Sequence, residues 1–325
     1  MYYCRNDFKE YSVMRTYKRR LLAMKSDRRK LWVDGEFIDE NDAVFNVLSH
    51  ALHYGTGVFE GIRSYSTNSV PAIFRLDDHL KRLLYSAECL NMQIPFSEIQ
   101  IKEAIIRLVN ENDLVDCYIR PIAFFGSGKM GLFPNTNKIS VAIACWQWVL
   151  KDGASNGVRV CVSSFIKPHP ISVPLEAKIS GNYVNSVLAH QEARRRGFDE
   201  ALLLDYRGYV AEGPGENIFL VKNKILITPS RNSILPGITR DSIMNLARDN
   251  GLRVIEQNVL PEDLIKVDEL FFVGTAAEIW PIVELNGIEI GNGGVGPITS
   301  ELKGEYQELV RGGNTKYLKW LTLVN

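Results

Sequence analysis

Glu176-Ala177-Lys178-Ile179-Ser180-Gly181-Asn182-Tyr183 sits where the pattern of the chain changes. Upstream, Val158–Ser164 alternates like a half-buried strand, and a loop with Pro168, Pro170 and Pro174 follows. Downstream, Tyr183 to Arg196 reads as a helix stopped by Gly197. A lysine is thus carried on a turn between a strand and a helix. Short strands follow at Ala201–Asp205, Tyr209–Val210, Ile218–Val221 and Lys224–Ile227, with tight turns at Tyr206-Arg207-Gly208 and Lys222-Asn223. Then come a helix over Thr239–Asn250 closed by Gly251, strands at Arg253–Ile255 and Leu270–Val273, a Gly-rich turn, and a helix starting near Pro297. Many short strands with few helices predict a barrel-like or strongly twisted sheet.

On the N-terminal side, Lys151-Asp152-Gly153-Ala154-Ser155-Asn156-Gly157 is small and polar and reads as a linker. Before it, Leu31–Ile38 carries Asp34-Gly35 between apolar runs, a hairpin signal. Leu76, Leu80, Leu83, Leu84, Ala87 and Leu90 recur at helical spacing, with Asp77 and Asp78 as cap candidates. A second helix reads Glu98–Asn110, and strands read Tyr118–Phe125 and Ile139–Trp146. Strands and helices do not strictly alternate, so the fold class is α+β and not doubly wound. The expected organisation is a basic extension over 1–30, a small α/β domain over 31–150, a linker over 151–157 and a larger domain over 158–325.

The 325 residues are 46% hydrophobic and 23% charged, which argues against a disordered chain. Lys plus Arg equals Asp plus Glu at 38 each, so no global polyanion partner, nucleic acid or anionic membrane, is indicated. The five cysteines, Cys4, Cys89, Cys117, Cys145 and Cys161, are odd in number and widely spaced. They argue against a disulfide framework or a zinc site and for a reducing compartment. The richest apolar run, Ile139 to Leu150, is too short for a membrane span. A cytoplasmic location is expected. Residues 1–30 hold ten Lys/Arg against three acids, with no apolar run to make a secretory signal, and Met24 is an alternative start.

Gly291-Asn292-Gly293-Gly294-Val295-Gly296 matches a dinucleotide fingerprint in letters only, since no βαβ unit follows. His50 and His53 form the one close histidine pair, and no carboxylate completes a metal set.

Other Gly-containing clusters accompany the lysine turn. They are Ser49-His50-Ala51-Leu52-His53-Tyr54-Gly55-Thr56-Gly57-Val58-Phe59-Glu60-Gly61-Ile62-Arg63, Glu212-Gly213-Pro214-Gly215-Glu216-Asn217, Leu235-Pro236-Gly237-Ile238-Thr239-Arg240 and Gly274-Thr275-Ala276-Ala277-Glu278. Read alone, Pro236–Thr239 is either a phosphate cradle at a helix N-terminus or an ordinary cap. Read alone, Lys178 fits a solvated lysine and Glu212 a turn acid.

Together, in this order and spacing, the clusters carry a resemblance. From Leu31 onward the chain is similar to the branched-chain amino-acid aminotransferases, fold-type IV enzymes that use pyridoxal 5'-phosphate (PLP). The resemblance implies ping-pong amino transfer between leucine, isoleucine or valine and 2-oxoglutarate, the last step of branched-chain synthesis or the first of breakdown. It implies that Lys178 is the Schiff-base lysine and proton shuttle, with a depressed pKa. It makes Glu212 the partner of the pyridine nitrogen and gives Tyr183 the cofactor's phenolic oxygen. Arg82, the Ile238 and Thr239 amides, the Thr239 hydroxyl and Thr275 would hold the phosphate, and Leu235 would pack on the ring.

For substrate, the resemblance implies an apolar pocket of Tyr54, Phe59, Trp146, Tyr183 and Ala277, with Arg63 also among the substrate residues. Tyr118 and the Thr275–Ala276 amides would hold the α-carboxylate, and Arg120 the distal carboxylate of glutamate. Val149 stands where a tyrosine is common and Cys145 replaces a usual proline, so the pocket is expected to be looser or differently tilted. The family builds its site at a dimer interface, so a homodimer or an assembly of dimers is expected, with small molecules as the other partners. A D-amino-acid aminotransferase or aminodeoxychorismate lyase of the same fold, or a non-catalytic PLP-binding relative, are the alternatives.

Overall fold

A computed structural model describes residues 29–148 and 156–324. Most of the basic extension with Met24, Val149, and the expected linker up to residue 155 lie outside the described residues.

The first sheet begins with the expected hairpin. Strands β1 (Lys30–Val33) and β2 (Glu36–Asp39) pair Val33 with Glu36, and Asp34 and Gly35 take φ of 48° and 102°. Gly35 supplies the left-handed geometry that this turn demands. Strands β3 (Gly57–Phe59), β4 (Ile62–Tyr65), β5 (Ala72–Phe74), β6 (Cys117–Phe125) and β7 (Ile139–Gln147) follow. The order is β5-β4-β6-β7-β1-β2, with β3 also on β6.

Alternation along β6 and β7 sorts the residues. Ile119, Ala123, Val141, Ile143 and Cys145 face a buried core with Leu80, Leu83, Ile101, Ile105 and Leu108 of the helices Leu76–Cys89 and Glu98–Glu111. Each such large aliphatic side chain contributes about 1.5–3 kcal/mol by leaving water. Tyr118, paired with Arg63 and Trp146, and Arg120, paired with Ala144, take the opposite face.

Ser97 and Gln100 form a capping box on the second helix. Asp77 and Asp78 correct the expectation for the first. They lie inside its first turn, the capping position belongs to Arg75 at φ 51°, and Asp78 accepts from Arg75 Nε at 2.7 Å.

The second sheet is mixed. It contains β8 (Val158–Val162), β9 (Glu200–Leu204), β10 (Val210–Glu212), β11 (Asn217–Lys222), β12 (Ile225–Pro229), β13 (Arg253–Gln257), β14 (Glu269–Gly274), β15 (Glu278–Leu285) and β16 (Ile288–Glu289). The order is β10-β9-β8-β15-β14-β11-β12-β13, with β16 on β15. The helices Tyr183–Arg195, Ile238–Asp249 and Pro297–Val310 accompany it.

The sequence reading passed over β15, which lies between β8 and β14. Pro281 and the acids Glu278 and Glu284 hide it, because proline argues against a central strand. Strand β17 (Leu321–Leu323) returns to the first sheet and pairs with β5 at its edge.

Candidate active site

Lys178 is carried on backbone that is pinned from two sides. Its amide donates to Ser86 Oγ at 2.8 Å, and its carbonyl accepts from Phe59 N at 3.1 Å. Next to it, Ile179 bridges to Val58 of β3. Gly55 and Gly181 cross at van der Waals contact: a Cβ on Gly55, itself at φ 66°, would lie 2.7 Å from Gly181 Cα. Only glycine lets the two loops approach so closely.

The Lys178 amine donates to the Tyr183 hydroxyl at 2.5 Å. Burial first, then the Arg82 and Arg120 charges, push that amine down to about 8, against the pull of Glu60. Burial likewise pushes the Tyr183 hydroxyl above its ordinary value, and Glu212 adds to the effect.

Glu212 ends β10 and is buried. Its oxygens accept from Asn217 Nδ2 at 2.9 Å and from Leu235 N at 3.1 and 3.2 Å, and Lys167 Nζ pairs with it at 2.7 Å. Asn217 also donates to Leu235 O at 2.9 Å, so one amide ties Glu212 to the turn before the Ile238–Asp249 helix. A Cβ on Gly237 would fall 2.0 Å from Asn217 Oδ1, which explains the glycine.

That helix has no side-chain cap, and its first-turn amides have no intrahelical partners. Arg82 approaches it and donates Nη1 to Pro236 O at 3.1 Å. Its Nε and Nη2 are held by the fully buried Glu60, which also meets His79 Nδ1 at 2.7 Å. Three of five guanidinium hydrogens are so used, which leaves two to bind an anion.

One cavity is bordered by Arg82, Lys178, Tyr183, Glu212, Leu235, Ile238, Thr239 and Thr275. A cationic fork with a helix N-terminus, an amine of lowered basicity, and a buried carboxylate are brought together. They fit a planar phosphorylated aldehyde with a basic ring nitrogen, which is PLP. The fit rests on the donor set itself.

The neighbouring wall is aromatic. The Tyr118 ring lies 5.1 Å from those of both Trp146 and Trp148, and Trp148 Nε1 donates to Ala276 O at 3.3 Å. Trp148 escaped the sequence reading, although its i+2 spacing from Trp146 places both on one face. Arg120 Nη2 donates to Tyr118 Oη at 3.1 Å, and its buried Nε has no hydrogen-bond partner among the described residues. The Phe59 ring centroid lies 4.8 Å from both the Arg120 guanidinium and the Lys178 amine. Ala277 is buried where the Thr275–Ala277 turn enters β15.

Two expected substrate residues have partners of their own. The Arg63 guanidinium is 4% exposed and pairs with Glu278 Oε1 at 2.9 Å, so its charge supports the turn before β15. Tyr54 is 44% exposed and donates to Met130 O at 2.8 Å, away from the Lys178 cavity of its own chain. Lys167, Glu60, Ser86 and Asn217 were also missed. Glu60 and Asn217 lay inside motifs already noted, whereas nothing local marked Lys167 or Ser86.

The family model of Amino-transferase class IV matches residues 57–285. The branched-chain-amino-acid aminotransferase of Pseudomonas aeruginosa is 46% identical over 297 residues, 90% of this chain and 97% of that protein. The chain belongs to the branched-chain amino-acid aminotransferases of class IV.

Solved members of this family are similar throughout. The T.th. branched-chain amino acid aminotransferase complexed with N-(5'-phosphopyridoxyl)-L-glutamate matches with a TM-score of 0.89 at 43% identity, over 92% of this chain and 99% of that one. The same enzyme complexed with 4-methylvaleric acid matches at 0.88 and 44%, over 92% and 99%. The α+β architecture of two sheets is the fold-type IV arrangement of these aminotransferases. Among the described residues no group of His, Cys, Asp and Glu is arranged to hold a metal ion, and no helix is long and apolar enough to cross a membrane.

Proposed function

We propose that this aminotransferase moves amino groups between leucine, isoleucine or valine and 2-oxoglutarate in a ping-pong cycle, with Lys178 as its central catalytic residue. The observation that carries the reading is the Lys178 amine, held down to about 8, on the cavity shared by Arg82 and Glu212. PLP, when bound, supplies an aldehyde to receive the amino group and a protonated ring to take up electrons.

Every other task falls to side chains. At neutral pH a useful fraction of an amine near 8 is unprotonated, so Lys178 Nζ can take a proton from the substrate carbon and return it. Tyr183, bonded to that amine, orients it and presents a hydroxyl to the cofactor's phenolic oxygen. Glu212 holds the proton on the ring nitrogen, and Leu235 packs against the ring. Arg82, the Ile238 and Thr239 amides, the Thr239 hydroxyl and Thr275 hold the phosphate.

Tyr118 and the Thr275–Ala276 amides take the substrate's α-carboxylate. Phe59, Trp146, Tyr183 and Ala277 exclude water around an aliphatic side chain. Arg120 stands at the rim for the distal carboxylate of glutamate, whose burial without a partner would be costly. The relatives bound to a glutamate adduct and to 4-methylvaleric acid support one pocket for both side-chain types.

A homodimer, or an assembly of dimers, is part of the reading. Val44, Val47, Leu48, Leu52, Leu132 and Phe133 are exposed near Tyr54, an apolar patch suited to a second copy. A Tyr54 directed at the partner's cavity would reconcile its exposure with a role in the pocket. A cytoplasmic location is supported by the free cysteines, of which Cys117, Cys145 and Cys161 are buried.

The test is a panel of amino donors with 2-oxoglutarate, run beside borohydride treatment of the PLP-loaded protein. Leucine, isoleucine and valine should turn over, and borohydride should fix the chromophore to Lys178. Turnover of D-amino acids alone, or a chromophore that dialyses away after reduction, would overturn the reading.

A further inference from the structure

Lys167 belongs to no motif, yet its amine meets the buried carboxylate of Glu212 on the wall of the Lys178 cavity. Lys167 Nζ lies 2.7 Å from Glu212 Oε1, and the two side chains are 13% and 6% exposed. The lysine is also held in place by backbone. Its amide donates to Leu204 O at 2.8 Å, prolonging contact with β9, and Pro168 after it restricts its backbone to extended conformations.

Glu212 therefore carries a fixed cation on one oxygen, and Asn217 and the Leu235 amide as further donors. An ionised carboxylate offers about four acceptor sites, so room for one more donor remains.

We propose that Lys167 is a positioning residue that acts on the cofactor's ring nitrogen through Glu212, aiming the carboxylate and lowering its pull on the ring proton. This rests on the reading of Glu212 as the partner of that nitrogen. A lone buried carboxylate would hold the ring proton as tightly as its charge allows. A carboxylate shared with an ammonium holds it less tightly, because the ammonium repels the positive ring. Lys167 thereby sets how much positive charge the bound cofactor carries.

Other ionisable groups face this pair. Lys178 and Tyr183 come from the lysine turn and its helix, Arg82 from the Leu76–Cys89 helix, and Glu216 from the turn after β10, with Glu200 of β9 close to Glu216. All are common to every variant in the test, so differences between variants report the Lys167 charge.

The experiment is a pH titration of the visible absorbance of the PLP-loaded enzyme. Lys167→Met and Lys167→Gln should each raise the midpoint by about 0.5–1 pH unit, the result of deleting a cation near a protonated chromophore. Lys167→Arg should restore the wild-type midpoint. Lys167→Gln retains a donor to Glu212 without charge, so it separates electrostatics from packing and gives a second variant if Lys167→Met folds poorly.

Glu212→Gln is the control and should move the midpoint down. Unchanged midpoints in both Lys167→Met and Lys167→Gln, with Glu212→Gln shifted, would make Lys167 merely structural and overturn the proposal alone. No shift in Glu212→Gln would overturn the Glu212 reading and the proposal with it.

Discussion

Glu60 and Arg82 meet fork to fork, with Arg82 Nε 2.6 Å from Oε1 and Nη2 2.9 Å from Oε2. The carboxylate is wholly buried and is shared with His79, so the guanidinium is aimed before any anion arrives. The pair therefore joins stability to cofactor binding. Burial would raise the Glu60 carboxyl, but the Arg82 and His79 interactions outweigh it and hold the group well below its ordinary 4.5.

Glu60→Gln should destabilise the cofactor-free protein by roughly 3–5 kcal/mol, the cost of breaking one side of a buried pair. A carboxyl with a depressed folded-state pKa contributes fully above its unfolded value and loses that contribution as pH falls toward the folded one. The gap between wild type and Glu60→Gln in denaturant melts should thus be full at pH 7 and narrow below about 4.5. A gap of constant size down to the acid limit would show that the Glu60 charge is irrelevant to it.

The charge on Lys178 should cost stability where that on Glu60 supplies it, although both effects make stability rise with pH. Its amine is pushed down from 10.5 to about 8, so the unfolded chain binds the extra proton between those values. Stability of the cofactor-free protein should rise with pH across that window, and below about 8 the charged amine should cost on the order of 3 kcal/mol. Lys178→Met should therefore be more stable than wild type at pH 7 without cofactor, the advantage fading above 10, while turnover is abolished. Melting temperatures at pH 7 and 10 decide it. A less stable variant at pH 7 would contradict the strained-amine account.

Gly61→Ala addresses the substrate wall. An added Cβ would lie 2.0 Å from the Tyr118 hydroxyl, so that ring must shift. Overpacking of this kind costs about 1–3 kcal/mol. Because Tyr118 would serve the α-carboxylate common to all substrates, kcat/KM should fall by a similar factor for leucine and glutamate. A loss confined to glutamate would show that Tyr118 acts only through Arg120.

Arg120→Met should separate the two substrates. The glutamate half-reaction should weaken by roughly 2–5 kcal/mol in transition-state terms, the penalty for leaving its distal carboxylate without a charged partner. The leucine half-reaction should change by less than about 1 kcal/mol. Single-turnover absorbance with each donor alone measures both halves. Equal losses would assign Arg120 to the shared carboxylate or to structure.

Much of this site was legible because its chemistry sits in short contiguous strings. Lys178 and Tyr183 are five residues apart, and the local period change told where the turn into the helix must be. The i, i+2 rule joined Tyr118 to Arg120, and the Nη2–Oη contact at 3.1 Å agrees. Partnerships set by tertiary packing left no such trace. Arg63 pairs with Glu278, 215 positions away, and no local pattern announces that partner. Ser86 looks like any helix serine, yet its hydroxyl reaches the Lys178 amide 92 positions on. β15 was hidden because Pro281 and its acids break both alternation and apolarity, and its pairing to β8 and β14 overrides that local signal.

Strand β17 gives the molecule a clasp whose consequence is temporal. Leu321–Leu323 pair with Phe74–Ala72, Arg75 N donates to Trp320 O, and Val324 N donates to Pro71 O. Arg75 also stacks on Trp320 at 4.5 Å and reaches Asp241 at 2.5 Å. During synthesis, β5 leaves the ribosome about 250 residues before its edge partner does, so it waits with one flank bare. The cradle formed by Arg82 and the Ile238–Asp249 helix lies beside the same clasp, because Arg75 Nη1 also donates to Ile238 O at 3.4 Å. Deletion of Leu321–Leu323 should therefore weaken retention of PLP through dialysis while leaving every group that does chemistry in place.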